Sequence, residues 1–152
     1  MRRPEVRAGA PAFAIELRVY YADTDAGGVM YHATYLNFFE RARTEWLRQL
    51  GFELPSMAHA GCMFIVRRMQ LRFVRPALLD DLVRVSAEAV QLGRAQITVL
   101  QRVHRSAELL VEASVNLACV NPRSLRPTAL PAPLHARLAT DVRTVSEQEE
   151  QA

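Results

Sequence analysis

The sequence contains no lysine, and its 19 basic residues are all arginine. The absence of lysine excludes a lysine nucleophile and Schiff-base chemistry. The arginines are spread along the chain rather than gathered in a tract, so the composition does not favour nucleic-acid binding. Arginine forks do fit phosphate geometry, and a ligand that bears phosphates therefore suits this composition.

Long apolar runs are also missing. No stretch approaches the roughly 18 apolar residues needed to span a bilayer. The basic start, residues 1–10, is followed by no apolar segment of signal-peptide length. We therefore expect a cytoplasmic protein without a membrane span.

Cysteine is scarce as well. Cys62 and Cys119 lie in apolar, strand-like stretches, and neither has a second cysteine or a histidine at ligand spacing. We expect both to be buried thiols and treat a disulfide as the less expected alternative.

The length of 152 residues fits one domain with room for a real core. Residues 1–11 carry charge, glycine and proline without periodicity, which predicts a flexible N-terminal arm. The polar residues from 141 to 152 predict a flexible C-terminal tail. The folded domain should therefore span residues 12–140.

Hydrophobic periodicity predicts one strand, one long helix and then four strands. The helix, residues 32–50, carries apolar positions at helical spacing and ends before Gly51, a residue favoured after a helix C-terminus. Its inner face should hold Tyr35, Phe38, Phe39, Ala42 and Trp46, and its outer face Glu40, Arg41, Arg43, Glu45 and Arg48. The strands should cover residues 12–21, 62–73, 82–90, 95–104 and 109–120.

Short turns join the last three strands, which favours antiparallel neighbours. A single apolar helix plus such a sheet is an α+β arrangement. We expect the sheet to wrap around the helix and to leave an edge free for pairing across a dimer.

The stretch from Asp23 to His32 leaves a strand, crosses a glycine turn and enters the buried helix. Gly27 and Gly28 let the backbone approach a ligand closely. The helix N-terminus offers unpaired N–H groups that can stabilise an oxyanion. A nearby carboxylate can act as a general base or as a nucleophile. An Asx-rich turn with a purely structural role explains the same residues equally well.

The segment from Val19 to Arg43 resembles the signature of the 4-hydroxybenzoyl-CoA thioesterase family, most of all the branch of Tol-Pal system-associated acyl-CoA thioesterases. Residues 71–81 and the run from Gln91 to Ala95 are similar to the same family. The resemblance covers roughly residues 13–130. It implies a hotdog fold, with a five-stranded antiparallel sheet around one long helix. It also implies a homodimer with active sites at the subunit interface, often doubled to a homotetramer.

The resemblance further implies that Asp25 is the catalytic carboxylate and that the carbonyl-polarising amide is that of His32, with Gly28 and Tyr31 beside it. The histidine replaces another residue type found in the 4-hydroxybenzoyl-specific enzymes, which favours a broader acyl-CoA substrate. Arg75 and Arg94 are candidate contacts for the CoA phosphates. No cofactor and no metal are expected.

Two other carboxylates compete with Asp25. We interpret Asp23 as structural, binding turn amides. Glu40 is the rival base, because some hotdog thioesterases use a helix carboxylate, but those usually carry a His-Gly-Gly-type motif that is lacking here. We expect Glu40 to pair with Arg43 or Thr44.

The predicted function is hydrolysis of short- to medium-chain acyl-CoA, with acyl-carrier-protein thioesters as possible substrates. Asp25 acts as general base or as nucleophile, and the sequence leaves this choice open. A hotdog hydratase or dehydratase and a non-catalytic acyl-CoA-binding protein are the alternatives.

Overall fold

A computed structural model describes the backbone of residues 13–150 and the side chains of residues 13–142. The arm predicted for residues 1–11 lies outside the described residues. The strands are β1 (Phe13–Arg18), β2 (Met63–Phe73), β3 (Leu82–Leu92), β4 (Gln96–Arg105) and β5 (Glu108–Val120). The helices are α1 (Thr34–Gln49), α2 (Leu54–His59) and α3 (Ala132–Glu150).

The five strands form one antiparallel sheet in the order β1-β3-β4-β5-β2. Helix α1 packs against β3 and β1, and the buried side chains of the helices and of the inner sheet face form one continuous core. The predicted α+β hotdog fold, with a five-stranded sheet around one long helix, is confirmed.

Alternation along the strands places the core as predicted. On β3, Val83, Val85, Ala87 and Ala89 are all buried, and the residues between them are not. Strand β2 differs, because it is an edge strand with a bulge between Val66 and Arg68. Several apolar side chains of β2, such as Ile65 and Phe73, are exposed.

Helix α1 begins two residues later than predicted, at Thr34, and ends in the expected glycine cap. Gly51 adopts φ +94°, its N–H donates to Arg48 O, and Phe52 N–H donates to Leu47 O. This is the Schellman pattern, which satisfies carbonyl groups of the last turn.

Arg43 was assigned to the exposed face of α1, and this prediction is wrong. The side chain is 8% exposed, and Nη1 donates to Oε1 of the fully buried Gln101 at 2.9 Å. Nε2 of Gln101 donates to Phe39 O and Ser86 O. The helix face is polar by composition, but a glutamine on β4 offers this arginine an acceptor inside the core.

The two cysteines are buried, as predicted, but the expectation of unpaired thiols is wrong. The structure joins Cys62 and Cys119 in a disulfide, with Cα atoms 6.0 Å apart. The strand register is the reason, because β2 and β5 pair Phe64 with Cys119 and so bring Cys62 beside it.

Helix α3 was not predicted, and it continues past residue 140, where the flexible tail was expected to begin. Leu134 and Leu138, one helical turn apart, are fully buried in the core. Pro131 and Pro133 at its start are a signal for a helix N-terminus. Within residues 13–150, no helix has both the length and the apolar character to cross a membrane.

Candidate active site

A tight loop follows β1 and leads into α1; we call residues 24–30 the glycine loop. An antiparallel bridge between Thr24 and Met30 closes it. Within it, Asp25 N–H donates to Val29 O at 2.9 Å, and Gly28 N–H donates to Asp25 O at 3.1 Å. Gly28 adopts φ +80°, a conformation that favours glycine.

The Asp25 carboxylate lies exposed at the turn of the glycine loop. Its Oδ1 accepts the N–H of Gly27 at 2.8 Å. A Cβ atom at position 27 would lie only 3.1 Å from this oxygen, so the glycine leaves room for the carboxylate. Among the described residues no other group donates to Asp25. The residue thus forms the Asx-type turn and still presents an uncommitted carboxylate oxygen.

The chain segment that enters α1 supplies unpaired N–H groups. Tyr31 N–H donates to Asp23 O, and Thr34 N–H donates to Tyr31 O. Between them, the N–H groups of His32 and Ala33 donate to no group in the described part of the chain. The side chains of Tyr31 and His32 are exposed, and their rings lie 4.6 Å apart. Unpaired N–H groups at the positive end of a helix can bind an oxyanion.

Tyr35, in the first turn of α1, is buried, and its hydroxyl oxygen accepts the N–H of Ala77 at 3.0 Å. Burial raises the pKa of the Tyr35 phenol, although the bond from Ala77 and the nearby Arg105 act in the opposite direction. The hydroxyl therefore stays protonated at neutral pH and serves as a fixed, neutral acceptor.

The competing carboxylates have other surroundings. Oδ2 of Asp23 accepts Tyr20 N–H at 2.8 Å and so caps the short 3-10 turn Tyr21–Asp23, which agrees with the predicted structural role. Glu40 lines an open groove of about 500 Å³ between α1 and β1. Within residues 13–142 it forms neither an ion pair with Arg43 nor a side-chain hydrogen bond with Thr44, so neither of the two predicted pairings is found.

The two candidate phosphate contacts lie at opposite ends of the sheet. Arg75 follows β2, two residues before Ala77, whose carbonyl oxygen accepts the Met30 N–H, and its Nη1 lies 3.3 Å from Oε1 of Glu108. Arg94 is exposed in the turn after β3. The start of β3 pairs with the end of β1, and at about 3.3 Å per residue β3 separates its two ends by about 33 Å. One protomer therefore does not bring Arg94 together with Asp25.

Among the described residues, His59, His104 and His135 form no hydrogen bond with the glycine loop. His59 is exposed and His135 half-buried. Burial lowers the pKa of His104, and the positive charges of Arg84 and Arg102 lower it further. Across the described residues, no three His, Cys, Asp or Glu side chains come together in a way that could hold a metal ion.

Known proteins are similar to this chain in both sequence and fold. Residues 27–112 match the Thioesterase superfamily, a region that begins two residues after Asp25. Acyl-CoA thioester hydrolase YbgC of Escherichia coli is 42% identical over 120 residues, which cover 78% of this chain and 90% of the relative. Acyl-CoA thioesterase YbgC of Haemophilus influenzae is 43% identical, with 78% and 88% covered.

A probable thioesterase from Bartonella henselae has a crystal structure that superposes with a TM-score of 0.75 at 37% identity. The superposition covers 80% of this chain and all of that one. The matched region includes Gly28, Tyr31 and His32, which lead into α1. On the strength of these matches, this chain belongs to the thioesterase superfamily.

Proposed function

We propose that the protein hydrolyses acyl-CoA thioesters, with Asp25 and the N-terminus of α1 as its catalytic groups. One observation carries the proposal. An exposed carboxylate with one uncommitted oxygen lies seven residues before His32, whose N–H group, like that of Ala33, is unpaired within the described residues. The names of the YbgC relatives support the same substrate class.

In the proposed reaction, the thioester carbonyl oxygen is bound by the His32 N–H. Asp25 takes a proton from water, and the resulting hydroxide attacks the carbonyl carbon. The N–H group stabilises the negative charge that develops on the oxygen. When the tetrahedral intermediate collapses, the carbon–sulfur bond breaks, the thiolate of CoA leaves with the proton from Asp25, and the carboxylic acid is released.

A covalent route uses the same groups. Asp25 attacks the carbonyl carbon itself, CoA leaves, and water then hydrolyses the mixed anhydride. Label in the Asp25 carboxylate after turnover in oxygen-18-labelled water would establish the covalent route, because water that attacks the aspartyl carbonyl of the anhydride leaves its oxygen there. Mass spectrometry of the peptide that contains Asp25 would detect it, and the general-base route leaves none.

Asp25→Asn tests the proposal. The amide keeps an oxygen for the Gly27 N–H, so the loop should fold, while the base and nucleophile are lost. We expect kcat to fall by about 10²-fold or more. Asp23→Asn is the matched control, because this residue caps a turn and should leave kcat unchanged. Full activity of Asp25→Asn would remove Asp25 from the mechanism, and crotonyl-CoA hydration without hydrolysis would favour a hydratase.

The proposal includes a homodimer, formed by the free edge of β2. An edge strand presents unpaired backbone groups to a second chain, and Ile65, Val66 and Phe73 on it are 40%, 48% and 53% exposed. More exposed apolar side chains lie in the segments that flank the glycine loop and in the loop before β3 that pairs with it at Leu78: Tyr20, Tyr21, Tyr31, Leu36, Leu78, Leu79 and Leu82. A second protomer would cover them and is the one source from which Arg94 can reach the site.

Light scattering at assay concentration tests this assembly and also distinguishes a homodimer from the expected homotetramer. A fully active monomer contradicts it. The proposal also includes a preference for short- to medium-chain substrates, a cytoplasmic location and an association with the Tol-Pal system. Hydrolysis rates across a panel of acyl-CoA and acyl-carrier-protein thioesters would establish the substrate.

A further inference from the structure

Ala77, in the loop between β2 and β3, contacts both halves of the candidate site through its backbone. Its carbonyl oxygen accepts the N–H of Met30, at the end of the glycine loop, at 2.8 Å. Its own N–H donates to the hydroxyl of Tyr35, in the first turn of α1. The residue is fully buried. The backbone of this one residue therefore links the end of the glycine loop to the first turn of α1.

An ion pair between Asp81 and Arg105 holds the chain on both sides of Ala77. Oδ2 of Asp81 accepts the N–H of Leu78 at 2.8 Å and Nη1 of Arg105 at 2.6 Å. The same Nη1 donates to Pro76 O at 3.4 Å. The two side chains are only 28% (Arg105) and 19% (Asp81) exposed. The pair thus contacts the residue before Ala77 and the residue after it.

Glu108 fixes the orientation of Arg105, because Nη2 of the arginine lies 3.2 Å from both carboxylate oxygens. The hydrogen bond to Asp81 raises the pKa of Arg105, although burial lowers it. The guanidinium is therefore held on two sides by carboxylates and has little freedom to release the loop.

We propose that the Asp81–Arg105 pair is a positioning element for thioester hydrolysis. It fixes Ala77 and, through Ala77, the spacing between the Asp25 carboxylate and the N–H groups that precede α1. This inference rests on the proposed function, because the positioned groups are those that carry out the reaction. A misplacement of about 1 Å costs on the order of 10²-fold in rate, so the pair should affect kcat far more than KM.

Asp81→Asn tests the inference against a matched control. Arg102 and Glu112 form a second ion pair, at 2.9 Å and with similar exposure, on the outer sheet face. Asp81→Asn should lower kcat by about 10- to 100-fold with KM changed by less than about threefold. Glu112→Gln should leave kcat unchanged, although it loses ion pairs with both Arg102 and Arg72 and should lose at least as much thermal stability as Asp81→Asn.

Three further variants, at Arg105 and Tyr35, should change kcat in ways that a purely structural role of the ion pair does not predict. Arg105→Lys keeps a cation beside Asp81 and should recover part of the kcat that Arg105→Gln loses. Tyr35→Phe keeps the buried ring, removes the acceptor for Ala77 N–H, and should lower kcat even if Asp81→Asn does not fold.

The outcomes separate the inference from the proposed function. If the wild type hydrolyses acyl-CoA while Asp81→Asn and Tyr35→Phe retain the kcat of Glu112→Gln, the positioning role is refuted alone. If the wild type hydrolyses no thioester, the proposed function fails and the inference fails with it.

Discussion

Replacing Gln101 by leucine should destabilise the protein strongly, because it strands a buried charge. The Gln101 amide is fully buried and makes hydrogen bonds to Arg43 Nη1, Phe39 O and Ser86 O, at 2.9, 3.0 and 3.2 Å. The Arg43 side chain is itself buried, and burial lowers the pKa of its guanidinium, although the nearby Glu40 raises it. Leaving a buried donor without its acceptor costs about 1–3 kcal/mol, and more when the donor is charged, so we expect a loss of about 3 kcal/mol or more.

The reverse truncation, Arg43→Met, removes the charge and leaves the Gln101 oxygen unsatisfied, at a cost of about 1–3 kcal/mol. The double variant, Arg43→Met with Gln101→Leu, removes both partners. Phe39 O still accepts a helical hydrogen bond, so the main remaining loss is the donor to Ser86 O, worth about 1–2 kcal/mol. The double variant should therefore be more stable than Gln101→Leu alone.

Urea unfolding followed by circular dichroism measures these free energies. All variants should be compared at one protein concentration, because self-association adds to apparent stability, and with unchanged m-values. Gln91→Leu makes the same chemical change at an exposed position and should stay within about 0.5 kcal/mol of wild type. A double variant whose loss equals the sum of the two single losses would refute the reasoning.

Two other predictions concern the glycine loop and acid stability. Gly27→Ala should lower kcat about tenfold by displacing the Asp25 carboxylate, with little change in melting temperature. Gly28 has φ +80°, and a Cβ atom there would meet no atom within 4 Å. Gly28→Ala should therefore cost about 1 kcal/mol of stability through backbone strain. His104 has a lowered pKa in the folded state, so the unfolded chain binds a proton more readily, and stability should fall as pH drops below about 6.5. His104→Gln should flatten this part of the curve of unfolding free energy against pH. An unchanged slope would contradict the attribution of this pH dependence to His104.

The elements were predictable where a single period dominates. Alternation along β3 and helical spacing along α1 identify the buried faces correctly, because burial of one face acts on every residue of the element. Gly51 predicted the end of α1, because glycine readily adopts the left-handed conformation that follows a helix C-terminus. Helix α3 was missed because two buried leucines, Leu134 and Leu138, are too few to establish a helical period ahead of a polar stretch, even though Pro131 and Pro133 mark its start.

The site was only partly predictable, because its supports come from distant parts of the chain. The glycine turn identified Asp25 as a candidate, and the Gly27 N–H that holds it is local. Ala77 is an apolar residue whose backbone, not its side chain, makes the contacts, so composition gives no sign of it. Arg43 looked exposed for a related reason: its acceptor, Gln101, becomes its neighbour only when the sheet is assembled.

The strand order has a consequence for how the chain folds. Strands β3, β4 and β5 follow one another through short turns, so they can pair as soon as they are made, whereas β1 at residues 13–18 must wait for residues 82–87. Pairing across a long separation is slow, because the loop must close before the contacts form. We expect the β3-β4-β5 meander to form first and the two edge strands to join it later. The glycine loop follows β1 and forms backbone hydrogen bonds with the loop before β3. It should therefore be among the last segments to become ordered.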